Sequence, residues 1–282
     1  MNGNFDVISF GEILWDVIDG VPHIGGAPFN FAAHAARCGL KSGIVSAIGN
    51  DGLGRDALNA ATGFGVDVSQ VSVHPVLPTG TVNVTLQNGI PSYEIVQPVA
   101  WDEIALPERL HLTPRAFYFG TLSQRGPLSA STLSELLRKF ESSIVFFDVN
   151  LRQDFWDAEI VGKGLANADI LKVNDEEMNR LGFVPDDLFA RFPRLKIIVE
   201  TRGALGCRIV SRKGERFDSP AFTDEPVVDT VGAGDSFSAA FLASLLRGES
   251  LESAAEAGNR LAGRVAARAG AIPENLEFRG RP

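Results

Sequence analysis

Between Val227 and Leu242 the chain reads Val-Val-Asp-Thr-Val-Gly-Ala-Gly-Asp-Ser-Phe-Ser-Ala-Ala-Phe-Leu, a small-residue turn opening onto an apolar helix. Gly232, Ala233 and Gly234 carry almost no side chain, so their backbone N–H groups can approach a bulky anion. A helix starting there leaves its first N–H groups unpaired and presents the positive end of its dipole, which makes an anion site. Asp235, at the junction, could take a proton from an attacking alcohol while the amides hold a transferring phosphate. The chemistry is phosphoryl transfer to a hydroxyl. A plain turn followed by a helix-start aspartate explains the same residues, and short glycine motifs are weak alone. Their companions decide.

Gly11-Glu12-Ile13-Leu14-Trp15-Asp16 sets a carboxylate just past an apolar run, and Gly25-Gly26-Ala27-Pro28-Phe29-Asn30 sets two glycines and an amide before a small-residue helix. Carboxylate, amide and bare N–H groups are what bind vicinal sugar hydroxyls. Taken singly, Asp16 reads as a turn residue and Asn30 as a helix-face or cap residue. Arg152, in Asp148-Val149-Asn150-Leu151-Arg152, could clamp phosphate or substrate, or make a surface ion pair. Asn174 and Glu177 could organise Mg²⁺ and its waters. They also read as an asparagine cap with acids in the first helical turn. Thr201-Arg202-Gly203 could lie under a nucleotide triphosphate, and Asn259 could face an adenine.

Strands and helices must position these groups. Apolar runs at Phe5–Phe10, Ser42–Ile48, Ala116–Phe119, Ile144–Asp148, Ile170–Val173 and Lys196–Glu200 predict strands. Helical spacing covers Ala27–Gly39, a stretch from Asn50-Asp51-Gly52 to about Thr62, Leu128–Phe140, Asp157–Ala166 and Glu176–Leu181. Two consecutive helices, broken at Gly248-Glu249-Ser250, occupy Asp235–Arg268. The alternation predicts an α/β layered fold with a mostly parallel sheet. Residues 13–24 and 71–96 lack an intervening long helix and contain turn residues such as Pro78-Thr79-Gly80 and Asn88-Gly89. They predict a small antiparallel flap over the strand ends where ligands bind.

The 282 residues, 45% hydrophobic and 22% charged, suit a globular enzyme, and the net charge of −9 argues against nucleic acid or an anionic membrane as main partner. Cys38 and Cys207 lie far apart without metal-ligand spacing, and residues 1–10 lack a signal-peptide pattern. A cytoplasmic location is expected. His23, His34, His74 and His111 are scattered, no Gly-x-x-x-x-Gly-Lys-Ser/Thr stretch exists, and Gly49-Asn50-Asp51-Gly52-Leu53-Gly54 has the wrong order for a dinucleotide fingerprint. A histidine-based hydrolase and a P-loop enzyme are therefore disfavoured.

In this order and spacing, the motifs make the chain resemble the ribokinase-like, PfkB-type carbohydrate kinases over nearly its whole length. Asp229-Thr230-Val231-Gly232-Ala233-Gly234-Asp235 matches their C-terminal signature, Gly25-Gly26 with Asn30 the N-terminal one, and Asn174 with Glu177 the Asn-x-x-Glu element. The resemblance implies a three-layer αβα sandwich with a small β lid, in one domain over residues 1–282, the lid formed near 13–24 and 71–96. It implies ATP as co-substrate with Mg²⁺, and Asp235 as general base beside an anion hole of Gly232, Ala233 and Gly234. Asp16, Gly25, Gly26, Asn30 and Arg152 would hold the sugar. Asn174, Thr201, Gly203, Gly206, Gly232 and Gly234 would surround the nucleotide phosphates, with Asn259 near the adenine. Glu177 would serve Mg²⁺ directly or through water. Asp229 and the Val231 carbonyl would supply part of a K⁺ site, completed by Arg268-Ala269-Gly270-Ala271.

Gly11–Asp16, Pro78-Thr79-Gly80-Thr81 and Asp148–Arg152 look most like bacterial fructokinases, which implies D-fructose as acceptor. Tyr93 and Trp101 are candidates for aromatics on the sugar. Kinases for 2-keto-3-deoxygluconate, ribose or a nucleoside remain open, as does a non-catalytic sugar or nucleotide sensor. The absence of Lys and Arg from Val71 to Val96 disfavours a sugar acid. The dipole of the helix after Gly234 should favour ionised Asp235. Exposed edges on the flap suggest a homodimer through it.

Overall fold

A computed structural model of the chain describes residues 3–87, 90–107, 112–222 and 224–274. The expected Asn88-Gly89 turn and His111 lie outside the described residues. In chain order, β1 (Gly3–Phe10) leads into a hairpin of β2 (Leu14–Ile18) and β3 (Val21–Gly25), then α1 (Ala27–Arg37). Next come β4 (Ser42–Gly49), α2 (Gly52–Gly63), β5 (Asp67–His74), β6 (Gly80–Gln87) and β7 (Ile90–Ile95). The alternation resumes with β8 (Leu112–Phe119), α3 (Pro127–Lys139), β9 (Ile144–Asp148), α4 (Ala158–Asn167) and β10 (Ile170–Asn174). The rest is α5 (Asp175–Leu181), α6 (Pro185–Arg191), β11 (Ile197–Thr201), β12 (Cys207–Ser211), β13 (Arg216–Ser219), α7 (Ala233–Leu246) and α8 (Leu251–Ala266).

The described residues form a nine-stranded sheet in the order β13-β12-β11-β10-β9-β8-β1-β4-β5. From β11 to β5 every pairing is parallel; β12 and β13 add an antiparallel edge. Side chains alternate between the two faces. On β8, Ala116 and Tyr118 join a core with α1, α7 and α8, whereas Phe117 and Phe119 join one with α3 and α4. Two helical layers on one sheet are the three-layer sandwich expected. The strand order reverses between β1 and β8, the place where an open α/β sheet offers a crevice at its carboxyl ends. Hairpin β12–β13 escapes sequence periodicity because exposed Arg208 interrupts the otherwise buried apolar run.

The second sheet has the order β3-β2-β6-β7. Its two hairpins are antiparallel, as expected of the flap, but they join through a parallel pairing of β2 with β6. Each follows a strand of the parallel sheet, β1 and β5, so both leave the same edge in the same sense. Val71–His74 stay in β5, paired with β4, so the small sheet takes residues 14–25 and 80–95. β5 is a half-exposed edge strand, with Val73 52% exposed, which is why it reads like part of a flap. Asp51 caps α2 by accepting from Gly54 N–H at 2.7 Å, and its carboxylate accepts Thr79 N–H at 2.8 Å and the Thr79 hydroxyl at 2.7 Å. That node fixes the chain where it enters β6. No helix among the described residues is long and apolar enough to cross a membrane.

Candidate active site

Helix α7 is apolar on all sides and buried from Ser236 through Ser244, so packing sets its axis and its first turn faces the crevice. Gly232 caps it in the left-handed region, φ 74°. A Cβ there would lie 2.5 Å from the Ala271 carbonyl oxygen and 2.7 Å from its Cα, so this position requires glycine. Ala233 N–H closes the preceding turn on the Thr230 carbonyl at 3.2 Å. Among the described residues, Gly232, Gly234 and Asp235 N–H donate to no backbone carbonyl and are the groups left for an anion. The expected set thus shifts by one residue: Asp235 N–H joins it, and Ala233 N–H is spent on the turn.

Asn30 is buried on α1, and its Nδ2 donates to Asp235 Oδ2 at 2.9 Å, joining residues 205 positions apart. Asn30 Oδ1 is buried with no partner, an acceptor suited to a ligand hydroxyl. Asp16 stands mid-strand in β2, across from His23 and Val82. A Cβ at Gly25 would come 2.7 Å from Asp16 Oδ2, and one at Gly26, φ 107°, would come 2.5 Å from the Glu12 carbonyl. Both glycines leave room around the carboxylate and the start of α1. Arg152 follows β9 on a loop turned by Asn150 at φ 44°. Its positive charge pulls down Asp16, Glu12 and Asp235, so the four groups lie near one another.

Burial raises Asp16 above the usual carboxylate range against the pull of Arg152 and His23. Burial pushes Glu12 up to about 7, opposed by backbone N–H donation and Arg152 and assisted by the charge of Asp235. Asp235 is pushed up to about 6, first by burial and then by Asp148, against the Asn30 hydrogen bond, Lys172 and Arg152. This reverses the dipole expectation: desolvation outweighs the helix terminus. With a pKa near 6, the carboxylate form still exceeds the acid about tenfold at pH 7.

On the other side of α7, Asn174 Oδ1 accepts Glu177 N–H at 2.7 Å and Glu177 Oε2 accepts Asn174 N–H at 2.9 Å, a reciprocal cap on α5. Glu177 Oε1 accepts Leu151 N–H at 2.8 Å, which fixes the loop bearing Arg152. Thr201 pairs with Asn174 across the β10–β11 ladder, so both stand at adjacent strand ends. Gly203 and Gly206, both at positive φ, form the turn into β12. Asn259 is buried, its Nδ2 donating to the Ser219 carbonyl and hydroxyl and to the Pro220 carbonyl, which ties α8 to the end of β13. Asp229 accepts Val231 N–H at 3.0 Å and Gly270 N–H at 2.9 Å, bringing together the two segments considered for a monovalent cation.

Trp101 departs from its expected place. It is 1% exposed, in a short turn at Ala100–Glu103, with the Arg125 guanidinium 4.0 Å from its ring centroid. It packs beneath the small sheet with Leu14, Val82 and Ile95 and presents no face to a ligand. The ladder pairs residue 93 with Val84, and the Tyr93 side chain lies outside the described residues.

Further groups at the site belong to no motif role assigned from the sequence. Glu12 is one. Lys172 Nζ donates to both oxygens of Asp148 at 2.9 Å, and the Tyr118 hydroxyl donates to Asp148 Oδ2 at 2.9 Å; the Ser238 hydroxyl, 3.3 Å from that oxygen, donates to the Gly234 carbonyl at 3.0 Å. A lysine inside the apolar strand Ile170-Leu171-Lys172-Val173 was the available signal. His34, one turn after Asn30, is fully buried and driven down to about 4 by burial; its neutral ring donates from Nε2 to the Ala271 carbonyl at 2.9 Å. The α1 that carries Asn30 is thereby tied to the segment on which Gly232 rests.

The model of the pfkB family carbohydrate kinases matches residues 4–277. An uncharacterized sugar kinase of Pyrococcus horikoshii, PH1459, is 29% identical over 274 residues, covering 89% of this chain and 86% of its own. Its crystal structure superposes with a TM-score of 0.83 over 94% of this chain and 93% of that one. A fructokinase of Klebsiella pneumoniae is 30% identical, with 87% and 85% covered. An aminoimidazole riboside kinase from Salmonella enterica, solved with aminoimidazole riboside and an ATP analog, is 25% identical with a TM-score of 0.81, covering 94% and 95%.

Proposed function

The chain belongs to the pfkB family of carbohydrate kinases, and from that premise we propose that it transfers the terminal phosphoryl of ATP to a hydroxyl of D-fructose. The observation that carries the reading is the Asn30–Asp235 hydrogen bond, which puts the sugar-binding helix and the anion-binding helix on one carboxylate. Asp16, the free Oδ1 of Asn30 and Arg152 orient the sugar. Asp235 accepts the proton of the attacking hydroxyl as the bond to phosphorus forms. Gly232, Gly234 and Asp235 N–H groups hold charge on the transferring group without reorganising.

ATP fits the glycine-lined helix start and the adjoining ends of β10 and β11, where Asn174, Thr201, Gly203 and Gly206 stand; Asn259 shapes the base side by holding Ser219 and Pro220. Both Glu177 oxygens already accept N–H groups, so it suits Mg²⁺ through waters. When bound on the phosphates, that ion supplies charge neutralisation. The Asp229–Gly270 junction, with the Val231 carbonyl, suits K⁺. Free Cys38 and Cys207 fit a cytoplasmic enzyme, and exposed Ile18 and Val21 at the tip of the β2–β3 hairpin suit a second copy.

An ADP-release assay over fructose, ribose, 2-keto-3-deoxygluconate and nucleosides, with and without K⁺, tests the assignment. Fructose should give the highest kcat/KM; a preference for another acceptor replaces the substrate, and sugar binding without turnover points to a sensor. Because the base works ionised, kcat should rise with pH and level off, with its midpoint near the Asp235 value of about 6. Glu12, with its value near 7, is still mostly protonated at that midpoint, so Glu12→Gln should leave it nearly unchanged. A profile flat from pH 5 to about 8 would count against Asp235 as base.

A further inference from the structure

We propose that Lys172, held by Asp148, is a catalytic residue whose ammonium reaches the terminal phosphoryl of ATP through the space left by Gly234. The inference rests on the kinase reading above.

Lys172, in the middle of β10, is 7% exposed, and Asp148, the last residue of β9, is 1% exposed. Two of the three ammonium N–H bonds go to Asp148, and the third is available to an incoming oxygen. An ideal Cβ on Gly234 would lie 3.3 Å from Lys172 Nζ, so the charge sits against the first turn of α7. That turn is already the positive end of a 14-residue helix. A buried cation placed on a positive helix end is disfavoured unless an anion joins them.

The network around Asp148 sharpens the point. The Tyr118 hydroxyl also donates to Asp148 Oδ2, so the carboxylate is fixed and holds the ammonium in one place. Glu177 and Asp235 also face the ammonium, and Arg152 stands beyond Asp235. A structural ion pair would need none of this placement, since buried pairs are often replaced by apolar residues without loss.

The step is in-line transfer. The sugar oxygen bonds to phosphorus, the bond to the ADP oxygen breaks with its electrons on ADP, and the proton goes to Asp235. Lys172 changes no bond; it stabilises equatorial oxygen charge.

The test is the double variant Lys172→Met with Asp148→Asn, which removes both buried charges, alongside Lys172→Arg. Calorimetric affinities for ATP and for ADP are read against wild type, with thermal melts to confirm folding. The double variant should melt no lower than wild type and bind ATP about tenfold more weakly, with ADP changed by less than about twofold. With an accepted sugar, kcat should fall about 100-fold while the sugar KM stays within about threefold, and Lys172→Arg should recover part of the rate. An unchanged ATP-to-ADP affinity ratio in a folded variant overturns the proposal. Wild type that binds ATP but turns over no sugar would sink the kinase reading, and the affinity ratio would still decide this one.

Discussion

Replacing Asp235 by asparagine should lower turnover about 10²–10⁴-fold while leaving ATP affinity nearly unchanged, the usual loss when a positioned general base is removed. The amide can still accept from Asn30 Nδ2, so the junction of α1 and α7 survives. The same substitution should raise stability at neutral pH. The folded-state value of about 6 lies above the unfolded 3.8, so the native protein binds the proton more tightly. The carboxyl therefore favours folding at low pH, and that contribution is lost as pH rises through about 6. At pH 7 the ionised group opposes folding by up to about 2–3 kcal/mol, an amount the neutral amide would not carry. Thermal melts should show the variant's advantage at pH 7, about half of it at pH 5, and little of it below about pH 4. Near-normal turnover, or a variant less stable at pH 7, would remove Asp235 from its role.

The second large effect is expected at Gly232. A methyl group there meets the Ala271 carbonyl at 2.5 Å in a backbone region that L-residues avoid. Gly232→Ala should cost about 1–3 kcal/mol through strain. It should also lower kcat about 10²–10³-fold, as loss of a fixed donor does. Gly234→Ala is the control. Its backbone is helical and its new Cβ meets only the end of a long side chain, Lys172 Nζ at 3.3 Å. It should lose less stability than Gly232→Ala. Equal melting temperatures for the two variants would show that the Ala271 contact is not what demands glycine at 232.

Strong periodicity made the parallel core legible: β1, β4, β8, β9, β10 and β11 are apolar runs because both faces of the sheet are covered. Edge elements were not. β5 is half exposed and β12 carries Arg208, so neither shows a clean period. At the site, Gly232, Asp235, Asn30 and Asp16 were readable because each breaks a pattern of apolar or bulky neighbours. Direction was harder. A sequence shows that Asp235 starts a helix but not how much water that start excludes, and burial sets the sign of its shift. Trp101 looked like a ligand platform because aromatics near a flap often are. Tertiary packing under β2 and β6 claimed it instead.

Asp16 belongs to β2, an inner strand of the small sheet, hydrogen-bonded to β3 on one side and β6 on the other. On the proposed reading, a sugar held by Asp16 would fasten the whole small sheet in place. Choosing an acceptor and shielding ATP from hydrolysis would then be coupled, and a sheet redesigned for another carbohydrate would also reset how much nucleotide is lost to water when no acceptor is present.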